Sequence, residues 1–364
     1  MAHQDNISNA ETGLRLVLSG PGLIGRKHAD LIAKSTRSRL IAIVAPPSDE
    51  NRQYAKSMDS PLYTSLDDAL DSGHVDGVIV ASPTEFHAEQ SCACIERGIP
   101  VLVEKPLTAD LNSATRIWRE AVARNVPVLV GHHRNYSSYL LEAARKFIAS
   151  ERFGELTAVQ GAALFRKPES YFDAGPWRTK VGGGPIFINL IHEIGILRYL
   201  CGPIRAVSAI ASHARRGFEV EDGAALCFRF EVGAIGTFIL SDIAASDRSW
   251  EMTSGENPMY PRSIDADCYH IAGTNGSIDF PSLRARYYDE TDEPSWWRAF
   301  RTERFATKPV DPLARQLAHF EAVIAGEVQP IVTAAEGVEN IRVLEAVTRA
   351  IESGRTIELT PGGE

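Results

Sequence analysis

A lysine at the end of an apolar run is the first residue whose setting suits chemistry. Lys105 stands between Glu104 and Pro106, at the close of the run IPVLVE (99–104). Because a proline biases the preceding residue towards an extended backbone, Lys105 should lie at the carboxyl end of a strand, where open α/β sheets bind ligands. There a lysine can donate a hydrogen bond to a substrate hydroxyl, or relay a proton if burial lowers its pKa. The alternative is a solvated surface lysine.

A histidine interrupts a second apolar segment. Residues 182–203 begin with three glycines and Pro185, end with a Gly-Pro pair, and are apolar at most positions between, which predicts a largely buried helix. Asn189 and His192 are three residues apart and therefore share one face of that helix as polar exceptions. Buried polar groups need partners, and a substrate could supply them. The alternative is a core histidine bonded to the backbone.

A glycine-rich turn near the N-terminus has the spacing of a phosphate-binding loop. GPGLIG (20–25) fits GxGxxG and lies between an apolar run that begins at Leu14 and a stretch with helical periodicity. The N-terminus of such a helix can hold a pyrophosphate, although a merely tight turn is the alternative. The predicted dinucleotide contacts are Gly20, Gly22, Leu23, Ile24 and Gly25.

The residue that would select the dinucleotide should end the second strand. An acidic residue there binds the ribose 2′-hydroxyl of NAD, but this chain has Ala45. Its absence removes repulsion towards the 2′-phosphate of NADP and leaves Ser48, Asn51 or Arg52 as partners, whereas Asp49 could fold back onto a plain ribose. The sequence therefore predicts NAD or NADP and favours NADP.

Two groups of strands differ in character and predict two domains. Up to Gly131, short apolar runs alternate with helical segments, as in a parallel sheet covered by helices on both faces. Beyond Gly131 the runs are longer, turn-linked and suited to an antiparallel sheet, and helical spacing returns in 312–326 and 334–353. The second group of runs is 155–166, 204–214, 224–232 and 234–242, with Gly233 as a hairpin turn.

Composition excludes several classes of protein. The chain has 364 residues, with 38 Lys and Arg against 47 Asp and Glu, a net charge of −9, and it has no basic cluster that could bind nucleic acid. Its five cysteines are odd in number and lack CxxC spacing, which argues against a disulfide framework or zinc site. The polar N-terminus and the lack of a long apolar run predict a cytoplasmic protein with no membrane partner.

Several short motifs occur in an order that is characteristic of one family. They are Ser82-Pro83-Thr84-x-x-His87, Glu104-Lys105-Pro106, Trp177-Arg178, Gly182-Gly183-Gly184 and His192. Over about residues 14–358 the chain resembles the Gfo/Idh/MocA (glucose-fructose oxidoreductase / inositol dehydrogenase) family. The resemblance implies NAD(P)-linked oxidation or reduction of a sugar, cyclitol or related polyol.

The fold class implied is α/β, and two domains are expected. A Rossmann NAD(P)-binding domain is expected at 13–131. A substrate-binding and oligomerisation domain of the α+β type, with a large open, mostly antiparallel sheet, is expected at 132–364. In the family the outer face of that sheet often forms dimer or tetramer interfaces, so a homodimer or homotetramer is expected.

The resemblance also implies site residues. Lys105 and His192 would be catalytic, and the loop with His87 would lie near the nicotinamide. The further cofactor contacts would be Ala45, Ser48, Ser82, Pro83, Thr84, His87, Glu104 and Lys105. The candidate substrate contacts are His133, Tyr136, Arg166, Trp177, Arg178 and Asn189. Because the adjacent His132 and His133 do not share a strand face, we expect separate hydrogen-bonding roles and no metal site.

The chain departs from the family pattern beside its histidine. Many relatives have an Asp four residues before it and another three after it, where this chain has Ile188 and Gly195. An isoleucine can neither orient the imidazole nor bind a substrate hydroxyl. Either Asn189 takes over the orienting role, or the substrate differs from a simple inositol or hexose.

Three hypotheses of function follow. In a dehydrogenase, His192 takes the hydroxyl proton during oxidation and Lys105 polarises the oxygen. A regulatory protein would bind the dinucleotide without turning it over, although the retained Lys105 and His192 argue against this. A lyase or hydrolase would use transient oxidation to acidify a neighbouring C–H, with no net redox change.

Overall fold

The chain forms two compact units. The first contains the described chain up to His133 together with Leu313–Ile341, and the second contains Arg134–Pro312 and the chain from Arg342 onwards. The residues described by the computed structural model are 13–137, 144–289, 293–307 and 310–360.

Strands and helices are numbered in chain order. The strands are β1 (Leu14–Ser19), β2 (Ser38–Val44), β3 (Leu62–Tyr63), β4 (Gly77–Val80), β5 (Val101–Val103), β6 (Val128–Val130), β7 (Leu156–Leu164), β8 (Ile204–Ser212), β9 (Gly223–Phe230), β10 (Ile235–Ser241), β11 (Tyr269–Gly273), β12 (Gly276–Phe280), β13 (Arg284–Tyr287), β14 (Arg301–Arg304) and β15 (Ile357–Glu358). The α-helices are α1 (Leu23–Ile32), α2 (Asp49–Ser57), α3 (Leu66–Asp71), α4 (His87–Glu96), α5 (Leu111–Arg124), α6 (Arg145–Ile148), α7 (Glu169–Asp173), α8 (Ile191–Cys201), α9 (Trp250–Ser254), α10 (Pro312–Ile324) and α11 (Ala334–Ser353).

The first unit contains a six-stranded parallel sheet in the order β3-β2-β1-β4-β5-β6. The order reverses at β1, so the carboxyl ends of β1 and β4 meet at a topological switch point, where open α/β sheets bind ligands. The predicted Rossmann fold is therefore confirmed. Strand β3 was not predicted, because two residues are too few to show a hydrophobic period.

Alternate side chains of this sheet pack into two separate cores. Val17 and Val80 face a cluster that includes residues of α4, α5 and α11. Leu16 and Ile79 face a cluster that includes residues of α1 and α10. Burial on both faces explains why these strands are apolar throughout instead of alternating.

The structure differs from the expected domain limits at Leu313–Ile341, which belongs to the first unit although it lies within the expected second domain. Phe320 of α10 is fully buried among sheet residues such as Leu102 and Leu129. Val338 of α11 packs into the core on the opposite face. These helices return to the first sheet because its two apolar faces would otherwise remain exposed, a long-range requirement that a linear division of the sequence does not reveal.

The second unit contains a nine-stranded sheet in the order β14-β13-β12-β11-β7-β10-β9-β8-β15. Its pairs are antiparallel except for β7 with β10, which confirms the expected mostly antiparallel sheet. In β9 the side chains of Leu226, Phe228 and Phe230 are buried, whereas Cys227 and Arg229 face outwards. One face of the sheet thus covers a core that α8 and the end of α11 complete.

The sequence predicts β7, β8, β9 and β10 but not β11–β15. These later strands have two to five residues and are partly polar, so their pairing depends on the strands already in the sheet. Gly233, with φ +88°, lies in the turn between β9 and β10, as expected. None of the described helices has the length and apolarity required to cross a bilayer.

Candidate active site

The glycine turn of the first unit is shaped by two close approaches and one open position. A Cβ at Gly20, where φ is +90°, would lie 2.4 Å from the backbone nitrogen of Ser82. One at Gly25 would lie 2.0 Å from the carbonyl oxygen of Gly20. A Cβ at Gly22, by contrast, would meet no described atom within 4 Å. Gly20 and Gly25 therefore serve packing, and Gly22 keeps open the space in front of α1.

The N-terminus of α1 borders this space. Helix α1 begins at Leu23, which is 81% exposed, and its first turn carries no acidic residue. The amide N–H groups of a first helical turn have no intrahelical acceptor and carry partial positive charge. This terminus thus offers donors for an anion such as a pyrophosphate, which fits the predicted roles of Gly22, Leu23 and Ile24.

The segment between β2 and α2 is already tied by its own hydrogen bonds. Ala45 is 5% exposed. The hydroxyl of Ser48 caps α2 by accepting from the backbone nitrogen of Asn51 at 3.1 Å, and the Asn51 amide donates to the carbonyl of Pro46 at 2.9 Å. Of the predicted partners of a 2′-phosphate, Ser48 and Asn51 thus already have local partners.

The nearby arginines are paired with acids of the first turn of α2. Arg26 contacts Glu50 at 2.5 Å and stacks 4.5 Å from the ring centre of Tyr54. Arg52 lies 3.5 Å from the exposed Asp49. A 2′-phosphate would have to displace one of these exposed carboxylates.

Glu104 holds the lysine loop to α1. One of its carboxylate oxygens lies 2.8 Å from Nε2 of the buried His28, and the other accepts from the backbone nitrogen of Lys105 at 3.2 Å. Burial acts to raise the pKa of Glu104, but the hydrogen bond and charge of His28, with His133 and Lys105, hold it below its ordinary value. Glu104 therefore stays ionised and positions Lys105, whose side chain is half-buried. This geometry favours a positioning role over the predicted direct cofactor contact.

His87 links the two loops that follow β4 and β5. Its ring nitrogens lie 3.0 Å from the carbonyl oxygen of Pro106 and 2.9 Å from that of Ser82, and the residue is 1% exposed. The hydroxyl of Ser82 donates to the side-chain oxygen of Gln90. The next two residues are more accessible than His87, since Pro83 is exposed and Thr84 is half-buried. His87 therefore positions backbone that the cofactor could contact, which again differs from the predicted direct contact.

In the second unit, the expected helix over 182–203 starts later and contains a wider turn. A π-helical turn runs from Ile186 to Leu190, α8 follows, and Gly202 ends it with φ +85°. Turns of this kind occur frequently at functional sites. Because the turn is wider than an α-helical one, the three-residue spacing no longer aligns Asn189 with His192 as expected.

His192 is 9% exposed, and its neighbour is held in a buried ion pair. Glu193 accepts from Arg134 at 2.6 Å and from the hydroxyl of Tyr269. Arg134 also contacts Glu251 at 2.6 Å. Burial raises the pKa of Glu193 to about 7, against the opposing effect of Arg134. This network fixes the first turn of α8, and with it the backbone that carries His192.

Asn189 bonds to a lysine that sequence reasoning missed. Its side-chain oxygen accepts from Nζ of Lys167 at 2.7 Å, so among the described residues the partner of this amide is Lys167 and not His192. Lys167 also lies 3.6 Å from a carboxylate oxygen of Asp242, and its Nζ is 4.9 Å from the ring centre of Tyr171. Lys167 precedes Pro168 in the segment after β7, as Lys105 precedes a proline after β5, and that Lys-Pro signature could have identified it.

The remaining predicted substrate residues differ in access. Arg178 stacks 4.0 Å from the ring centre of Tyr171, and Trp177 is 56% exposed. Arg166 is exposed, and its backbone forms an isolated antiparallel β-bridge with that of Ile243. Tyr136 is 2% exposed, and burial raises its pKa, so the phenol is a poor candidate for direct contact. His133 is half-buried in the first unit.

Comparison with known proteins identifies relatives of both units. The model of the Gfo/Idh/MocA oxidoreductase family with an NAD-binding Rossmann fold matches residues 14–132, and that of the Gfo/Idh/MocA C-terminal domain matches residues 141–279. The 1,5-anhydro-D-fructose reductase of Ensifer adhaerens is 28% identical over 95% of this chain and 98% of its own. The scyllo-inositol 2-dehydrogenase (NAD+) of Bacillus subtilis is 26% identical over 96% and 97%.

A solved structure has the same fold. The WlbA dehydrogenase of Bordetella pertussis, determined with NADH and UDP-GlcNAcA, superposes with a TM-score of 0.76 at 23% identity, over 96% of this chain and 99% of its own. Matches to both family models, together with relatives that align along almost the whole chain, lead to one conclusion. The chain belongs to the Gfo/Idh/MocA family of NAD-binding oxidoreductases.

Proposed function

We propose that this chain transfers a hydride between a bound nicotinamide and a carbinol or carbonyl carbon of a sugar, cyclitol or related polyol. The observation that carries the proposal is the open space at Gly22, beside the donors of α1 and in the same unit as the positioned Lys105. The reductase and inositol dehydrogenase names of the full-length relatives support this substrate class. The dinucleotide, when bound, supplies the hydride acceptor or donor.

The chain itself supplies proton transfer and polarisation. His192 accepts the hydroxyl proton during oxidation and returns it during reduction. Lys105 donates a hydrogen bond to the reacting oxygen, where a positioned cation stabilises developing negative charge. Glu104 and the Arg134–Glu193 pair contribute indirectly, because they hold the backbone beside each residue.

Replacing Lys105 by Met or His192 by Ala should lower turnover by a factor of about 10² or more, because each change removes a group that acts on the oxygen or its proton. Dinucleotide affinity should change little. The assay follows nicotinamide absorbance over a panel of sugars, polyols and sugar acids, alongside chromatography of the products. Lys56→Met and His213→Ala, at exposed positions, serve as controls.

Retained turnover in either variant would assign that residue a structural role. Product formation without a net change in nicotinamide absorbance would favour the redox-neutral alternative. Dinucleotide binding without any turnover over the panel would favour a regulatory protein.

Gly22→Val should abolish dinucleotide binding while the protein remains folded, because the new side chain would occupy space that the structure leaves open. Gly73→Val is a matched control, since a Cβ at Gly73 also meets no described atom within 4 Å. Calorimetric titration with NAD and NADP, together with circular dichroism, checks both variants. Unchanged affinity in folded Gly22→Val would contradict the proposed binding mode.

For the choice of dinucleotide, we propose that NADP binds at least as well as NAD, because no carboxylate at Ala45 repels a 2′-phosphate. Arg26 and Arg52 are the nearby cations that could pair with it after leaving Glu50 and Asp49.

Ala45→Asp should shift preference towards NAD by about ten- to hundred-fold, since a carboxylate gains the ribose hydroxyl and repels the phosphate. Calorimetric titration of both proteins with both dinucleotides measures the ratio, and Ala45→Ser controls for the change in size. A wild-type protein that binds NAD far more tightly than NADP would overturn this choice and point to Asp49 as the ribose ligand.

We also propose that the outer face of the second sheet binds a second copy of the chain. Ile210 of β8 is 72% exposed, and Ile235 and Ile239 of β10 are 64% and 48% exposed. Along β10, Gly236 and Phe238 are buried, whereas Ile235, Thr237 and Ile239 are exposed, so the two isoleucines share one face of the strand. A broad apolar sheet face suits a self-complementary contact, for which a stable interface needs about 800 Å² per partner.

Ile239→Glu should lower the oligomeric state, because the contact would bury an unpaired carboxylate. Sedimentation velocity of wild type should give a dimer or tetramer, and of the variant a smaller species. Val122→Glu replaces an apolar residue on α5 that is 66% exposed, and should leave the mass unchanged. A monomeric wild-type protein would exclude the interface.

A further inference from the structure

The Asn189 amide is oriented by its partner. An ammonium group has hydrogens to donate and no lone pair to accept, so Lys167 must contact the oxygen of the amide, as the 2.7 Å bond shows. The amide nitrogen then points away from Lys167 with its two hydrogens. Asn189 is half-buried, and the bond of its amide to a described residue is made by the oxygen. The amide nitrogen is not a buried atom without a partner, so it remains accessible.

Lys167 is itself held in place, so the orientation of the Asn189 amide is fixed. Its side chain is 10% exposed and lies 3.6 Å from Asp242. Asp242, with 3% of its side chain exposed, also contacts Arg216 at 3.2 Å. Arg216 in turn pairs with Glu169, whose side chain is 72% exposed. A rotation of the amide would set its N–H groups against an ammonium that cannot move freely.

Arg178 is a second donor, and it lies against the same aromatic ring as Lys167, that of Tyr171. Nζ of Lys167 is 4.9 Å, and the guanidinium of Arg178 4.0 Å, from the ring centre of Tyr171. Arg178 donates to the carbonyl oxygen of Tyr171, but its buried Nε has no hydrogen-bond partner among the described residues. A buried donor without an acceptor is costly, and a ligand oxygen would remove that cost.

The polarity of these groups defines what they can bind. Asn189 Nδ2 and Arg178 Nε are both donors, and the neighbouring Ile188 offers no side-chain acceptor. A substrate hydroxyl at such a site could accept hydrogen bonds from these two groups but could not donate its own hydrogen to them. A carboxylate accepts at both oxygens, carries no hydrogen to be left unpaired, and forms charge-assisted bonds that are roughly twice as strong as neutral ones.

We infer that the Asn189 and Arg178 donors form a carboxylate subsite, so that the substrate is a sugar acid and not a neutral polyol. This inference rests on the proposed function, since it names the substrate class of the same reaction. Lys167 acts as a positioning residue that keeps the amide nitrogen directed outwards. The carboxylate would be bound and not transformed, and its contacts would favour the acid over the neutral sugar.

The experiment compares matched pairs of probes on the enzyme with saturating dinucleotide. D-Glucose and D-glucuronate, D-galactose and D-galacturonate, and D-mannose and D-mannuronate differ by one carboxylate in place of a hydroxymethyl group. Both kcat/KM and the calorimetric affinity of the acid are measured for each pair. Wild type should favour the acid of at least one pair by about 10²-fold, mainly through KM.

Asn189→Asp is the diagnostic variant. It keeps the size of the side chain and its bond to Lys167 but replaces two donor hydrogens by a negative charge, so the preference for the acid should fall by about 10²-fold. Asn112→Asp, an exposed change of the same chemistry on α5, should leave the ratio unchanged.

The outcomes separate the inference from the function on which it rests. Turnover that favours neutral sugars in every pair, or a ratio that Asn189→Asp leaves unchanged, would overturn the subsite while the oxidoreductase function stands. Acid binding that Asn189→Asp abolishes, without turnover of any probe, would support the subsite and contradict the proposed function. No measurable binding of any acid would overturn the subsite.

Discussion

The close approach of the glycine turn to the loop after β4 is the constraint on which the first unit depends. Gly20 lies so near Ser82 that no side chain fits between them. His87 joins the carbonyl of Ser82 to that of Pro106, and Glu104 joins the following loop back to α1 through His28. These contacts connect the ends of three adjacent strands with the first helix, so the dinucleotide turn and the lysine loop form one rigid arrangement.

Buried charge organises the second unit in a different way. Arg134 with Glu193, and Lys167 with Asp242, are side-chain pairs whose partners come from distant parts of the chain. Breaking such a pair is costly, because it leaves an uncompensated charge away from water. Each pair therefore holds a candidate site residue in place. The Arg134–Glu193 pair holds the turn that carries the candidate catalytic histidine, and the Lys167–Asp242 pair keeps the amide of Asn189 in one orientation.

Elements that depend on local sequence signals could be predicted from the sequence, whereas those that depend on contacts between distant parts of the chain could not. Strands buried on both faces carry a local apolar signal, so β1, β4 and β5 were found from the sequence. The short β13 and β14 contain several arginines and pair only because neighbouring strands already offer an edge. The same distinction explains α10, whose helical period is local but whose attachment to the first sheet depends on an apolar face formed by strands far earlier in the chain.

The sequence alone determined the chemistry that is available: a GxGxxG turn, Lys105 before a proline, and an isolated histidine in an apolar helix. These signals are local because backbone conformation and residue type carry them. The tertiary structure decided what each polar group contacts. It assigned Glu104 and His87 to holding loops. It also paired Asn189 with Lys167, because a π-helical turn and a residue 22 positions earlier in the chain set the direction of the amide. Spacing along a helix cannot reveal such a partner.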